Sequence, residues 1–255
     1  MQEFVNKVAL ITGATSGIGE ATAIAFAKAG SHVVIAGRRK EEGMAVVEAI
    51  RKFGGDAIFL QTDVRKEDDI IAMINKTLSR FGRLDYAFNN AGVVTNDSII
   101  NETEESYYRV MDTNTKGTFF CMKYELVYMI KNKGGVIINS SSVAPFLPVP
   151  KHSLYNASKI AILSLSEAAA SEAACHGVRV NVVCPIGIAG KMVEDFLEKN
   201  QMQVEQIIPP IGRMGMPEDV ANVVLFLCSD TASYITGAAI HMDGGMRIKA
   251  ASIRD

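Results

Sequence analysis

A tyrosine and a lysine four positions apart, Tyr155 and Lys159, stand behind a run of three serines, Ser140, Ser141 and Ser142. On a helix, residues at that spacing share one face about one turn apart. An ammonium beside a phenol favours the phenolate, which makes Tyr155 a usable proton donor and acceptor near neutral pH. At the other end of the chain, Thr12-Gly13-Ala14-Thr15-Ser16-Gly17-Ile18-Gly19 follows a short apolar run and precedes an alanine-rich helical pattern. A glycine turn between strand and helix lets a pyrophosphate approach the backbone, where free N–H groups and the positive end of the helix dipole meet it. A proton-transfer pair and a dinucleotide turn on one chain imply redox chemistry at a carbonyl or an alcohol.

These groups need a scaffold that brings them to one edge. Apolar runs at 8–11, 32–36, 57–61, 84–89, 136–139, 180–183 and 239–242 alternate with helical patterns at 18–29, 41–53, 68–81, 104–130, 153–175 and 219–228. Continuous apolar strands separated by long helices mean a parallel sheet covered on both faces. The predicted fold is α/β, one doubly wound Rossmann-type domain over residues 1–255 with a seven-stranded parallel sheet flanked by helices. No linker rich in Pro, Gly or Ser divides the chain. Ala161, Ala168, Ala169, Ala170 and Ala173 allow close helix approach, either within the monomer or across a symmetric interface.

Composition removes other classes. With 48% hydrophobic and 21% charged residues and a net charge of −2, nothing favours a nucleic acid or an anionic membrane as partner. No apolar run approaches the ~18 residues of a spanning helix, and the first strand starts too early for a signal peptide. Cys121, Cys175, Cys184 and Cys228 sit in apolar patterns, as core residues in a reducing cytoplasm would. No HExxH, CxxC or carboxylate cluster points to a metal.

At the cofactor end, Gly13, Thr15, Ser16, Gly17, Ile18 and Gly19 form the phosphate turn. Gly37 ends the second strand, where a site specific for NAD usually places an acidic side chain on the ribose 2′-hydroxyl. Glycine repels no 2′-phosphate, and Arg38 and Arg39 follow as phosphate partners or as an ordinary solvated helix start. The preferred cofactor is therefore NADP(H), with NAD(H) as the alternative. Asp63 and Val64 follow the third strand, where the adenine should lie. Asn90, Ala91 and Gly92 follow Asn89 at the end of the fourth, near the nicotinamide ribose.

Together these pieces resemble the short-chain dehydrogenase/reductase family over residues 7–246. The glycine turn matches at Thr12, Gly13, Gly17 and Gly19, the Asn-Asn-Ala-Gly motif at 89–92, and the catalytic set at Asn114, Ser142, Tyr155 and Lys159. Ser142 is preferred to Ser141 because it stands thirteen residues before Tyr155. Asp63 resembles the family's adenine-contacting acid, and Gly237 with Asp243-Gly244-Gly245 its C-terminal segment. The resemblance implies that Tyr155 is the general acid in ketone reduction and the base in alcohol oxidation. Ser142 would hold the substrate oxygen, Lys159 would bind the nicotinamide ribose and lower the tyrosine pKa, and Asn114 would hold a water linking Lys159 to solvent. Pro185 and Ile188 would line the nicotinamide, and a homotetramer is implied. One departure stands out: after Cys184-Pro185 the family continues Gly-x-x-x-Thr, whereas here Ile186 and Gly190 occupy those positions. The missing hydroxyl implies weaker cofactor affinity or a shifted loop, and it keeps a nucleotide-binding sensor or scaffold as the rival to an enzyme.

The substrate side should be built from the stiff loop 143–152 and from a covering segment at about 187–215. Its expected wall is Ser142, Ala144, Phe146, His152, Tyr155, Ile186, Met192 and Phe196, with Pro148 stiffening the loop. Such a wall suits a largely apolar alcohol or ketone, although the methionines serve equally well as packing.

Overall fold

The apolar runs form strands whose alternate side chains enter two separate cores. The computed structural model describes residues 2–147 and 149–248. Its strands are β1 (Val8–Thr12), β2 (His32–Gly37), β3 (Ala57–Gln61), β4 (Tyr86–Asn89), β5 (Gly135–Ser140), β6 (Val178–Pro185) and β7 (Ala239–Met242). They pair in parallel in the order β3-β2-β1-β4-β5-β6-β7. The chain winds outward one way from β1 and then the other way from β4. The reversal of strand order between β1 and β4 marks the crevice, beyond the C-terminal ends of those two strands, where such sheets hold ligands.

The helices are α1 (Gly17–Lys28), α2 (Lys40–Arg51), α3 (Glu67–Phe81), α4 (Glu104–Val110), α5 (Gly117–Lys131), α6 (Ser153–Ala173), α7 (Lys191–Asn200) and α8 (Pro217–Cys228). Ala9, Ile11, Val33 and Ile35 face a core with Phe26 of α1, Val47 and Ile50 of α2, and Val220 and Val224 of α8. Their neighbours Val8, Leu10 and Val34 face the opposite core with Ile70 and Met73 of α3, Met129 of α5 and Ala173 of α6. The period of two along each strand divides the apolar residues between the layers. No helix among the described residues is long and apolar enough to cross a membrane.

Two expectations change, and for the alanines one of the two alternatives gains support. The helix predicted over 104–130 is interrupted by a π-helical turn, Met111–Lys116, because the Asn114 side chain there bonds the backbone of a neighbouring loop. Such turns often mark functional positions. Cys175 is exposed rather than in the core, while Cys121, Cys184 and Cys228 are buried. Ala169, Ala170 and Ala173 are buried within the monomer, and Ala168 is exposed.

Beneath the crevice lies a buried polar cluster that carries no sequence signature. Asn89 Nδ2 donates to Glu125 Oε2 at 2.8 Å and to Asn139 Oδ1 at 3.0 Å, and Asn139 Nδ2 donates to Ser166 Oγ at 2.8 Å. Glu125 Oε1 and Asn89 Oδ1 have no partner among the described residues. Burial pushes the Glu125 carboxyl from 4.5 up to about 8, against the hydrogen bond from Asn89. The native state therefore keeps a proton that the unfolded chain loses near pH 4.5. This stabilising contribution is complete below that value and is lost as pH rises towards 8, by up to ~1.4 kcal/mol per pH unit. Glu125→Gln keeps the shape without the titration. Chemical denaturation from pH 5 to 9 should show a flatter stability profile for the variant and greater stability than the parent at pH 9.

Candidate active site

The glycine turn is closed on its inner side and open on its outer side. Thr12 Oγ1 accepts the N–H groups of Asn90 at 3.0 Å and Ala91 at 3.2 Å, which ties the ends of β1 and β4 together. Asn90 Nδ2 donates back to the carbonyls of Thr12 and Gly13, both at 3.3 Å. Gly13 has φ +64°, and a Cβ there would lie 2.8 Å from Ala91 Cα. At Gly19 a Cβ would overlap the Gly13 carbonyl oxygen, whereas at Gly17 it would meet nothing within 4 Å. Ser16 stands at the N-cap of α1 without bonding the helix N–H groups. Open space, an uncapped helix start and close backbone approach fit a pyrophosphate, so the described residues suit a dinucleotide. Ile18 lies half-buried against the core.

The end of β2 gives Gly37 a second meaning. A Cβ at Gly37 would lie 2.7 Å from the Thr15 methyl carbon, so glycine there makes room for Thr15. Arg39 reaches across, its Nη2 donating to Thr15 Oγ1 and Ser16 Oγ, both at 2.7 Å, while Nη1 stands 3.4 Å from Glu42. Arg38 is exposed beside Asp63. The Asp63 carboxylate accepts from Arg65 at 2.6–3.0 Å, and these hydrogen bonds hold it below its ordinary value despite burial. Arg65 was not foreseen. The signal was present, because an arginine two residues after a strand-end carboxylate can fold back on it. Val64 packs where a side chain on Gly117 would stand, 2.9 Å from its Cγ2. Ile188 bridges to Gly215 beyond Pro185, which is buried at the end of β6.

The four catalytic candidates meet at the same edge. Lys159 is 4% exposed, and its Nζ donates to the Ser140 carbonyl at 2.8 Å and stands 5.7 Å from the Tyr155 ring centroid. A Cβ on Gly92 would come within 3.3 Å of Lys159 Nζ and 3.4 Å of Asn114 Oδ1, so both groups converge there. Asn114 accepts from the Val93 N–H at 2.8 Å and donates to the Val93 carbonyl at 2.8 Å and Ser158 Oγ at 2.9 Å. Ser142 Oγ donates to the Pro185 carbonyl at 3.3 Å and accepts from the Ala144 N–H at 3.0 Å. Burial pushes the Tyr155 phenol up, opposed by the Ser142 hydroxyl. Burial also lowers Lys159 from 10.5 to about 8. Desolvation dominates at Tyr155, and the lysine ammonium is directed at a carbonyl.

On the substrate side, Ala144 is buried and Phe146 is exposed in one short helical turn. His152 is buried, its Nδ1 3.0 Å from the Pro150 carbonyl and its ring centroid 6.2 Å from Tyr155 and 5.5 Å from Phe196 of α7. Ile186 packs with Val143 and Cys184 and donates its N–H to the Met242 carbonyl at 3.2 Å. Met192 is exposed on α7, and Pro148 lies outside the described residues. Gly190, in the place of the family threonine, opens α7 with φ +142°, a conformation that favours glycine. The departure therefore follows from the backbone path. Two residues next to Phe146, His241 and Arg247, had drawn no notice in the sequence.

A Rossmann-type sheet with this edge is shared with known oxidoreductases. The family profile described as enoyl-(acyl carrier protein) reductase matches residues 13–247. The chain is 39% identical to the 3-oxoacyl-(acyl-carrier-protein) reductase FabG of Staphylococcus aureus (strain N315), covering 95% of this chain and 98% of the relative. It is also 39% identical to cyclohexanol dehydrogenase of Acinetobacter sp. (strain SE19), covering 97% of each. The crystal structure of levodione reductase superposes with a TM-score of 0.93 at 30% identity, covering 97% of this chain and 100% of that one. The chain belongs to the short-chain dehydrogenase/reductase family, and it is an NAD(P)-dependent oxidoreductase of CH–OH and keto groups.

Gly19→Ala should disrupt the turn, since its methyl meets backbone that cannot rotate away. The expected cost is about 1–3 kcal/mol, read by denaturant unfolding, together with weaker nucleotide binding by titration calorimetry.

Proposed function

We propose that the protein transfers a hydride between NADP(H), or less favourably NAD(H), and a secondary alcohol or ketone, with Tyr155 as general acid and base. The convergence of Ser142, Tyr155, Lys159 and Asn114 beside the glycine turn carries this reading. When bound, the nicotinamide supplies the hydride. Tyr155 gives its phenolic proton to the carbonyl oxygen during reduction and recovers it during oxidation. Ser142 donates a second hydrogen bond to that oxygen, which stabilises the charge growing there. Lys159 binds the nicotinamide ribose and carries a proton, and Asn114 orders a relay from Lys159 towards solvent. The names of the relatives, a ketoacyl reductase and an alcohol dehydrogenase, support the CH–OH/C=O substrate class.

Ser16, Arg38 and Arg39 receive the 2′-phosphate in this proposal, while Asp63 and Val64 border the adenine. The exposed guanidinium of Arg38 and the Arg39 fork resting on two hydroxyls support it. Residues 187–215 cover a largely apolar substrate, and the chain acts as one domain in the cytoplasm. Assembly as a homotetramer is supported by exposed Tyr107, Tyr108, Phe119 and Ile160 along α4, α5 and α6.

Tyr155→Phe should lower ketone reduction by about 10²-fold or more while leaving nucleotide binding nearly unchanged. Nicotinamide absorbance and calorimetry measure the two effects, and a variant retaining most of its activity contradicts the assignment. Arg38→Ala should reduce the NADP preference severalfold by raising KM for NADP and not for NAD. A monomer mass by light scattering at micromolar concentration would refute the tetramer.

A further inference from the structure

Beyond Phe146, at the side of the crevice away from the nucleotide turn, three side chains from distant parts of the chain meet. The Phe146 ring, 42% exposed, lies edge-on to His241 with centroids 5.0 Å apart. The Arg247 guanidinium carbon stands 5.7 Å from the same ring centroid. Arg247 Nε is 3.3 Å from Asp243 Oδ2, and neither Nη group has an acceptor among the described residues. His241 Nε2 is buried and also lacks a partner among them. His241 pairs in register with Cys184 of β6, and the Cys184 sulfur feels both Lys159 and Arg247. The cluster and the catalytic lysine therefore flank one strand end.

We infer that Arg247 and His241 recognise a carboxylate on the substrate, several bonds from the carbon that reacts. This rests on the redox reading of Ser142 and Tyr155 and adds the substrate's second functional group. Asp243 pairs with the arginine through Nε and leaves its two Nη groups without an acceptor among the described residues. Its Oδ1 accepts the Gly245 N–H at 3.0 Å and its Oδ2 the Arg247 N–H at 3.2 Å, and the ion pair at 3.3 Å engages Nε alone. Held by Asp243 on one side and by the Phe146 ring on the other, the two Nη groups form the fork that a carboxylate accepts in bidentate fashion. Burial and the neighbouring arginine lower the His241 pKa, so a neutral imidazole offers a hydrogen bond without a further charge. Ser142 bonds Pro185 of β6, and Pro185 pairs with Met242 of β7, so about two strand spacings, on the order of 10 Å, separate the reacting oxygen from this cluster. A ring or a short chain bearing a ketone at one end and a carboxylate at the other spans that distance.

The test separates this site from the chemistry. Cyclohexanecarboxylate and its uncharged carboxamide are titrated calorimetrically into the NADP-loaded protein, its Arg247→Gln variant and its Arg247→Lys variant. The parent should bind the carboxylate at least about tenfold more tightly than the amide. Arg247→Gln should erase that difference and Arg247→Lys should retain part of it, because charge survives without the fork. No carboxylate preference in the parent, or a preference undiminished in Arg247→Gln, overturns the assignment. In parallel, reduction of 4-oxocyclohexanecarboxylate and its methyl ester is followed. Carboxylate binding with neither ketone reduced overturns the redox reading and leaves the arginine site standing. Reduction of both at equal KM overturns the arginine site alone, whereas a KM for the acid lower by about tenfold in the parent only supports it.

Discussion

The side-chain amide of Asn114 acts as a peptide group out of place, and the active-site edge depends on it. It closes a two-bond ring with the backbone of Val93, just past the Asn-Asn-Ala-Gly turn, and gives its remaining proton to Ser158 of α6. To reach both, the helix around it takes a wider turn over Met111–Lys116. Thr115 adds a hydroxyl bond to the Ser158 carbonyl at 3.2 Å. The loop after β4, the junction of α4 and α5, and the start of α6 are held together at one point. An apolar side chain at 114 would leave the half-buried N–H and C=O of Val93 without these partners, a cost comparable to lost hydrogen bonds.

From that anchor the charges follow. Ser158 donates to the Tyr155 carbonyl at 2.7 Å and Ser141 to the Lys159 carbonyl at 2.7 Å, so the first turns of α6 are fixed by side chains. Lys159 is taken out of water and directed at the end of β5, where burial lowers it to about 8. Tyr155 is shifted in the opposite sense by the same desolvation. A phenol raised and an ammonium lowered both favour their neutral forms, an arrangement suited to passing protons. The ends of β1 and β4 are joined through Thr12, which holds the glycine turn against the same edge.

The architecture was readable because its signals are local. Continuous apolar strands alternating with helices define a covered parallel sheet, and a glycine turn behind the first strand defines where an anion binds. Tyr155 and Lys159 share a helix face at their spacing. Gly37 and Gly190 each have a structural reason in addition to the ligand group they lack. Thr15 fills the space beside one, and a left-handed start to α7 requires the other.

The sequence alone determined the order of strands and helices, the nucleotide turn and the Tyr155–Lys159 pair, because these depend on neighbours within about one turn or one strand. Asn114 and Ser142 were marked by the family resemblance. Only the tertiary structure decided that Glu125 shares a buried cluster with Asn89, that Asp63 pairs with Arg65, and that Arg247 and His241 meet Phe146. Most of these contacts join residues 36 to 101 positions apart, where no local periodicity operates. The Asp63–Arg65 pair, though close in sequence, depends on the turn that follows β3. Burial, set by the whole fold, then determines which of these groups carry charge.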